Sequence, residues 1–438
     1  MKHVAIVGYG LEGRSALRYW QEEGAEVTVC DQDTDKDIPN SVKTQLGADY
    51  LDNLDRFDVI MRTAGMHPKI IVEKNPGVEA KITTTVNEFL RVCPTKNTIG
   101  VTGTKGKGTT SMLITKMLEA AGKHVFIGGN YGVSPFDFLP KLTKDSWVVL
   151  ELSSYMLYDI TRSPHIAVCL MVQPEHLDWH GDKVDYFRAK SNLFAHQDEH
   201  DVAIYFAENT TSHNIARHSP GDKIAYYDEP GAYIHDNKVM IDQTVLCKTD
   251  ELKLLGKHNW QNVCAAVTAV WQVVQAPDAI RKVLTSFAGL LHRLEMVREV
   301  DGIKFYNDSF ASDPYATEAA IAAIPGNKVM IIGGFDGRKL PLAELAKTLY
   351  EHRREVPAVI LIGESAKRLA EALKQSGFTD FYLSPAKTMA EIVADAQAHA
   401  KKGESIVFSP GFPSFDMFKN FEDRGLQFKQ AVHDLQDH

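Results

Sequence analysis

Residues Thr102-Gly103-Thr104-Lys105-Gly106-Lys107-Gly108-Thr109-Thr110 constrain the fold more than any other stretch of the chain. An apolar run at 98–102 leads into them, and a helix-like pattern over 109–121 follows. Glycines let successive backbone N–H groups turn toward one anion, and the helix behind presents its positive end to the same anion. A strand, glycine loop and helix in that order, within a chain that alternates β and α, imply a parallel sheet covered on both faces. Lys107 is placed to reach β- and γ-phosphates, so the loop predicts a phosphate-bearing ligand with Mg²⁺. Gly103, Thr104, Lys105, Gly106, Lys107, Gly108, Thr109 and Thr110 are its candidate contacts. The loop departs from the usual phosphate-loop pattern: Val101 stands at the first glycine, and Gly108 stands where a hydroxyl residue would follow the lysine. Thr109, one place later, is the candidate magnesium ligand.

A second glycine turn opens the chain. Residues 4–7 are apolar, Gly8-Tyr9-Gly10-Leu11-Glu12-Gly13 follows, a helix pattern runs to Glu23, and a second apolar run at 26–30 ends in Asp31. This is the layout of a nucleotide-binding βαβ unit, with the acid where a ribose is usually held. A tight turn without ligand remains the plain alternative.

At 438 residues the length suggests two or three domains. Alternating β and α patterns divide the chain into residues 1–88, 89–290 and 291–438. Strands are expected at 303–306, 329–332, 358–362 and 405–408, with helices at 341–353 and 389–400. The segment 200–256 is richer in turns. The expected fold is α/β throughout: a Rossmann-like N-terminal domain, a central phosphate-loop ATPase domain with a parallel sheet, and a Rossmann-like C-terminal domain.

With 48 basic and 57 acidic residues the net charge is −9, which argues against broad nucleic-acid or anionic-membrane binding. No apolar run reaches the ~18 residues of a spanning helix. The five cysteines are scattered and without a CxxC pair, so they read as buried thiols of a reducing compartment. The expectation is a soluble, cytoplasmic, monomeric enzyme acting on small molecules.

Glu151 and His176 each follow an apolar run, which puts both at the carboxyl edge of the sheet that carries the loop, where open α/β sheets bind ligands. A carboxylate there suits Mg²⁺. The histidine is either a ligand or a solvated turn residue, and local pattern leaves Lys190 an ordinary helix lysine.

These residues together resemble the Mur ligases, the ATP-dependent family that adds amino acids to the peptidoglycan precursor. The likeness runs through the phosphate loop, Glu151-Leu152-Ser153-Ser154-Tyr155, Glu175-His176-Leu177-Asp178, Tyr186 to Lys190, and Gly256-Lys257-His258-Asn259-Trp260-Gln261-Asn262. It continues through His292-Arg293-Leu294-Glu295, Asn307-Asp308-Ser309 and Thr317-Glu318-Ala319-Ala320. It implies the three-domain Mur ligase architecture, with the third domain closing on ATP. It also implies that Lys107 holds the ATP phosphates, that Thr109 and Glu151 hold one Mg²⁺, and that His176 helps hold a second. Lys190 matches the lysine that the family carbamylates, a metal-supporting carboxylate in place of a cation. Asn259, Arg293 and Asp308 match groups that grip adenosine and its phosphates, and Asn130 matches a contact to the muramoyl substrate. The N-terminal turn then takes the uracil diphosphate of a UDP-linked substrate, so Leu11, Glu12, Asp31, Gln32 and Gly65 become candidate contacts. NAD is the competing ligand for those glycines, and the second phosphate loop argues against it.

The stretch from Ser409 to Gly425 resembles family members that add D-glutamate to UDP-N-acetylmuramoyl-L-alanine, where Ser414 and Phe421 would line the amino-acid pocket. Two positions depart from that pattern. Phe310 stands where a substrate-facing lysine is usual, and the cation for the D-glutamate side chain falls on Arg338 or Lys339. The alternatives are a Mur ligase of other specificity, a folylpolyglutamate synthase, whose loop shares the Gly-Lys-Gly-Thr order, and a non-catalytic nucleotide binder.

Overall fold

The computed structural model describes residues 1–436 except Tyr131, Leu255 and Arg338, and omits the side chain of His258. The chain forms two compact units, Met1–Glu251 with His258–Ser286, and Leu252–Lys257 with Phe287–His438.

The first unit carries two parallel sheets. One has the order Lys43–Leu46, Glu26–Asp31, His3–Val7, Val59–Arg62, Ile82–Thr83. Val4, Ala5, Ile6 and Val7 are all fully buried, which is why this strand reads as an unbroken apolar run: helices cover both of its faces. Each such Val or Ile contributes about 1.5–3 kcal/mol by leaving water. The helix Leu11–Glu22 packs so closely on the strand that a Cβ on Gly13 would lie 2.2 Å from the Gly8 carbonyl oxygen.

The other sheet has six parallel strands, Asp222–Tyr226, Val202–Phe206, Ile166–Cys169, Thr98–Thr102, Trp147–Glu151 and Val125–Gly129. The turn-rich stretch after residue 200 supplies two of them, and then a three-stranded antiparallel sheet, Tyr233–His235, Lys238–Ile241 and Thr244–Lys248. Its two-residue turns, Asp236-Asn237 and Asp242-Gln243, all have positive φ of 46–60°. Such turns match the twist of paired strands, and Asp and Asn tolerate them best. The helix after the phosphate loop spans Lys107–Ala120, two residues earlier than its apolar pattern suggests.

In the second unit the sheet order is Glu295–Val300, Ile303–Asn307, Ser405–Phe408, Lys328–Gly333, Ala358–Ile362, Phe381–Leu383. Four of the five pairings are parallel; Glu295–Val300 runs antiparallel at the edge, joined through Asp301-Gly302. The expectation of parallel strands missed this edge strand because most of its residues are half-buried or exposed and Glu295-Met296-Val297-Arg298-Glu299-Val300 lacks a two-residue alternation of polarity. Helices fall at Ala343–Glu351 and Met389–His399, inside the expected 341–353 and 389–400.

Candidate active site

Strand Thr98–Thr102 delivers the phosphate loop to the sheet's carboxyl edge. Gly103 has φ +151° and Gly106 φ +86°. A Cβ at Gly106 would lie 2.2 Å from Oδ1 of Asn262, so this glycine is required both by its backbone and by its neighbour. Asn262 comes from the helix His258–Trp271, and its Nδ2 donates to Oδ1 of Asn259 at 2.7 Å. The Thr110 hydroxyl meets the same Asn262 at 3.5 Å. Lys107 is the first helical residue, and its ammonium arches over the loop to the carbonyls of Gly103 and Thr104, each at 3.1 Å. Thr104 locks the loop base, donating to the Gln173 carbonyl and lying 3.1 Å from the Tyr186 hydroxyl. Lys105 pairs with Glu175 at 3.1 Å, Thr109 is buried behind the lysine, and Gly108 lies within the helix.

Glu151 ends the neighbouring strand Trp147–Glu151 and is buried. Its Oε1 accepts from the Asn130 amide at 2.8 Å, and its carbonyl accepts from the Asn130 backbone N–H at 2.8 Å. The two residues singled out separately in the sequence therefore meet. His176 has a left-handed backbone, φ 57°, and precedes the short helix Leu177–His180. Burial pushes its imidazole below the ordinary histidine range, against the pull of Glu175, and so favours the neutral form that can coordinate a metal.

Lys190 is the unexpected member. It is 1% exposed, not solvated, and its ammonium donates to the Gly103 carbonyl at 3.0 Å and the Thr102 hydroxyl at 3.3 Å. Its Nζ sits 4.8 Å from the centre of the Tyr186 ring. Burial, then the nearby Lys107 charge, pushes its pKa down to about 7. Nothing in the local sequence pattern signals this. Only the packing of helix Lys183–Ala195 beneath the loop does.

The donors at this edge are a carboxylate, a hydroxyl, a neutral imidazole and an amine next to the phosphate loop. The carboxylate and the hydroxyl are buried, hard oxygen donors, and they fit a hard cation better than a thiophilic one. Among the described residues no three His, Cys, Asp or Glu side chains are already grouped as a metal cage, so a cation here would need ligands from outside that set.

The N-terminal candidates gather at the carboxyl edge of their own sheet. Leu11 is exposed at the start of its helix and Gln32 is exposed beyond the strand. Asp31 accepts from the backbone N–H of Tyr9 at 2.6 Å and of Asp33 at 2.9 Å, so it braces the glycine turn. Glu12 accepts from the Ala64 N–H at 3.0 Å, and burial raises its pKa. The Gly65 carbonyl accepts the Trp179 indole N–H at 2.9 Å. Sequence reasoning missed Arg62, which is fully buried. It forks onto Asp159 at 2.6 and 2.8 Å and donates to the carbonyls of Thr63, Ala64, Met66 and Tyr155. The one available signal was an arginine closing an otherwise apolar strand.

In the second unit, Asp308 is buried, accepts from Ser409 at 2.7 Å and from the Leu294 N–H at 3.1 Å, and has its pKa raised by burial to about 7. Arg293 lies 4.2 Å over the Phe310 ring, which meets Phe421 edge-on at 5.0 Å. Ser414 is buried. Lys339 pairs with Asp336 at 3.1 Å, an acid that also receives the Arg368 fork. Arg338 lies outside the described residues. Arg424, also missed, is buried and ties Ser309 to the Phe412 carbonyl.

Comparison with known proteins identifies the family. The family profile described as Mur ligase middle domain matches residues 101–270, and that described as Mur ligase, glutamate ligase domain, matches 292–412. A UDP-N-acetylmuramoylalanine–D-glutamate ligase from Acetivibrio thermocellus is 35% identical over 460 aligned positions, covering 99% of this chain and 97% of that protein. Among solved structures, the UDP-N-acetylmuramate-alanine ligase MurC of Thermotoga maritima superposes with a TM-score of 0.62 at 16% identity, covering 99% of both chains. The MurF ligase of the same organism, in complex with ADP, gives 0.59 at 17% identity, covering 98% of this chain and 94% of that one.

Proposed function

The chain belongs to the Mur ligase family, and from that premise we propose that it joins D-glutamate to UDP-N-acetylmuramoyl-L-alanine at the expense of ATP. It is an ATP-dependent ligase of peptidoglycan synthesis, with the three-domain architecture of its structural neighbours. Under this proposal residues 1–88 hold the UDP moiety, 89–290 the ATP, and 291–438 the amino acid. No helix among the described residues is long and apolar enough to cross a membrane, and under this proposal the reaction belongs to the cytoplasm.

One observation carries the chemistry: Lys107 and buried Lys190 converge on the single carbonyl of Gly103, beside a loop built to hold phosphates. A carboxylate cannot exchange its oxygen for an amine directly, because oxide is too poor a leaving group. The alanyl carboxylate oxygen therefore attacks the γ-phosphorus, the bond to the ADP oxygen breaks, and an acyl phosphate results. The D-glutamate amine then attacks the acyl carbon, loses a proton, and phosphate departs with the shared oxygen.

Lys107 is positioned to neutralise charge that develops on the γ-phosphate, the largest electrostatic contribution in such transfers. Thr109 and Glu151 would hold one Mg²⁺, and His176 with a carbamylated Lys190 would hold a second. The cations would screen the phosphate oxygens from the incoming carboxylate. Carbamylation joins the neutral Lys190 amine to CO₂, forms an N–C bond and releases one proton. Asn130 would orient the muramoyl group beside Glu151. Asn259, Arg293 and Asp308 would hold the nucleotide. Ser414, Phe421 and a cation, Arg338 or Lys339, would select the amino acid. Heavy-oxygen label in the alanyl carboxylate tests the route: it must appear in released phosphate. The amide keeps one of the two carboxylate oxygens, and release of the other in water instead of phosphate would refute the acyl phosphate.

A further inference from the structure

Three side chains that the proposed chemistry does not use form one hydrogen-bonded chain. Oγ of Ser154 lies 2.9 Å from Nε2 of His180, and Nδ1 of that ring lies 3.0 Å from Oδ2 of Asp185. The His180 side chain is 0% exposed. An ionised carboxylate only accepts, so Nδ1 carries the ring proton. Hydrogen bonds from Arg188 and His180 outweigh burial and keep Asp185 ionised, and burial keeps His180 neutral. Nε2 therefore accepts, and the Ser154 hydroxyl donates. Every hydrogen of the chain has one assigned place.

Each member sits on a segment that carries one of the proposed metal-holding residues. Ser154 follows Glu151 across Leu152 and Ser153, and begins the helix Ser154–Leu157. His180 closes the helical turn whose backbone N–H returns to the His176 carbonyl at 3.1 Å. Asp185 stands in the first turn of helix Lys183–Ala195, which carries Lys190. The ring also packs against Trp179 at 4.6 Å and Tyr186 at 5.3 Å, and the Tyr186 hydroxyl reaches Thr104 of the phosphate loop. No other described hydrogen-bonded side-chain chain joins these three segments.

We propose that Ser154, His180 and Asp185 are positioning residues that set the spacing of Glu151, His176 and Lys190 and thereby the affinity of the site for its divalent cation. The inference rests on the assignment of those three as the metal-holding residues. Outer partners that orient metal-bearing segments typically govern affinity by about 10–100-fold. A chain serving only the fold would lower stability and leave cation affinity unchanged.

The experiment measures Mn²⁺ binding by paramagnetic resonance to the whole protein with the non-transferring β,γ-methylene analogue of ATP, beside thermal unfolding. Ser154→Ala, Asp185→Asn and His180→Asn are expected to weaken Mn²⁺ about 10–100-fold, while unfolding midpoints and analogue affinity without metal stay near those of the parent. Should His180→Asn fail to fold, the two end variants decide, since each changes a single polar group. Glu151→Gln and Lys190→Ala report on the underlying assignment. If they weaken Mn²⁺ while Ser154→Ala and Asp185→Asn do not, the relay is overturned and the assignment stands. If they leave Mn²⁺ unchanged, the assignment fails and the relay with it. Loss of stability without a cation effect also overturns the proposal.

Discussion

Replacing Lys190 by alanine removes a side chain whose environment has already changed its chemistry. Its pKa falls from the ordinary 10.5 to about 7, burial being the main cause and the Lys107 charge the second. At pH 8 such an amine is about 90% neutral, against about 0.3% for a solvated lysine, roughly a 300-fold gain in the form that captures CO₂. The same shift corresponds to roughly 5 kcal/mol against the buried charge. A folded pKa below the unfolded one gives stability that is complete above pH 10.5 and lost as pH falls through about 7. An unmodified ammonium would repel Mg²⁺, whereas its carbamate would hold it. Lys190→Ala should therefore lose at least ~100-fold in kcat, and acetate, which fits the vacated space as a free carboxylate, should restore part of it. Lys190→Arg should not respond, since it leaves a fixed cation in place of the anion. Phosphate release across an acetate series reads all three, and labelled bicarbonate reports the carbamate by NMR. Full turnover in Lys190→Ala, or equal acetate response in the arginine variant, would refute the reasoning.

Lys107→Ala should retain the fold by circular dichroism and lose more than about tenfold in kcat, because the loop lysine contacts charge and not core; a tenth or more of parental turnover contradicts this. Asp308→Asn should raise the unfolding midpoint above pH 7. The raised carboxyl pKa of about 7 gives the native protein stability that is present below pH 3.8 and lost as pH rises through 7, and the amide abolishes that pH dependence. Arg62→Ala leaves Asp159 and the carbonyls of Ala64, Met66 and Tyr155 without their donor and should cost about 3 kcal/mol in urea unfolding. Arg338→Ala and Lys339→Ala, tested singly, should separate the two cations by KM for D-glutamate. If neither moves KM, the pocket draws its cation from elsewhere.

Both glycine loops were legible because the physics is local: only glycine accepts the φ of +86° at Gly106, and an apolar run buried on both faces has no polar residue to interrupt it. Glu151 was legible for a similar reason, as a single acid ending an apolar strand. Lys190, His180 and Arg62 were not, since each owes its character to a partner far along the chain. Lys190 meets Gly103, His180 meets Ser154, and Arg62 meets Asp159. The pattern of a helix face does not show that another loop covers it. The edge strand Glu295–Val300 was missed because half-burial with mixed polarity resembles a turn. Family resemblance bridged the gap for Lys190 alone.

The central claim is the identity of the amide that this chain forms. With ATP, Mg²⁺ and UDP-N-acetylmuramoyl-L-alanine supplied, phosphate release is measured across D- and L-glutamate, D-aspartate, L-lysine and meso-diaminopimelate, with the product mass determined in each case. The account predicts turnover with D-glutamate well above every other amino acid, and a product heavier by one glutamyl residue. Faster reaction of an L-amino acid or of meso-diaminopimelate, or of a folate in place of the muramoyl substrate, would contradict it.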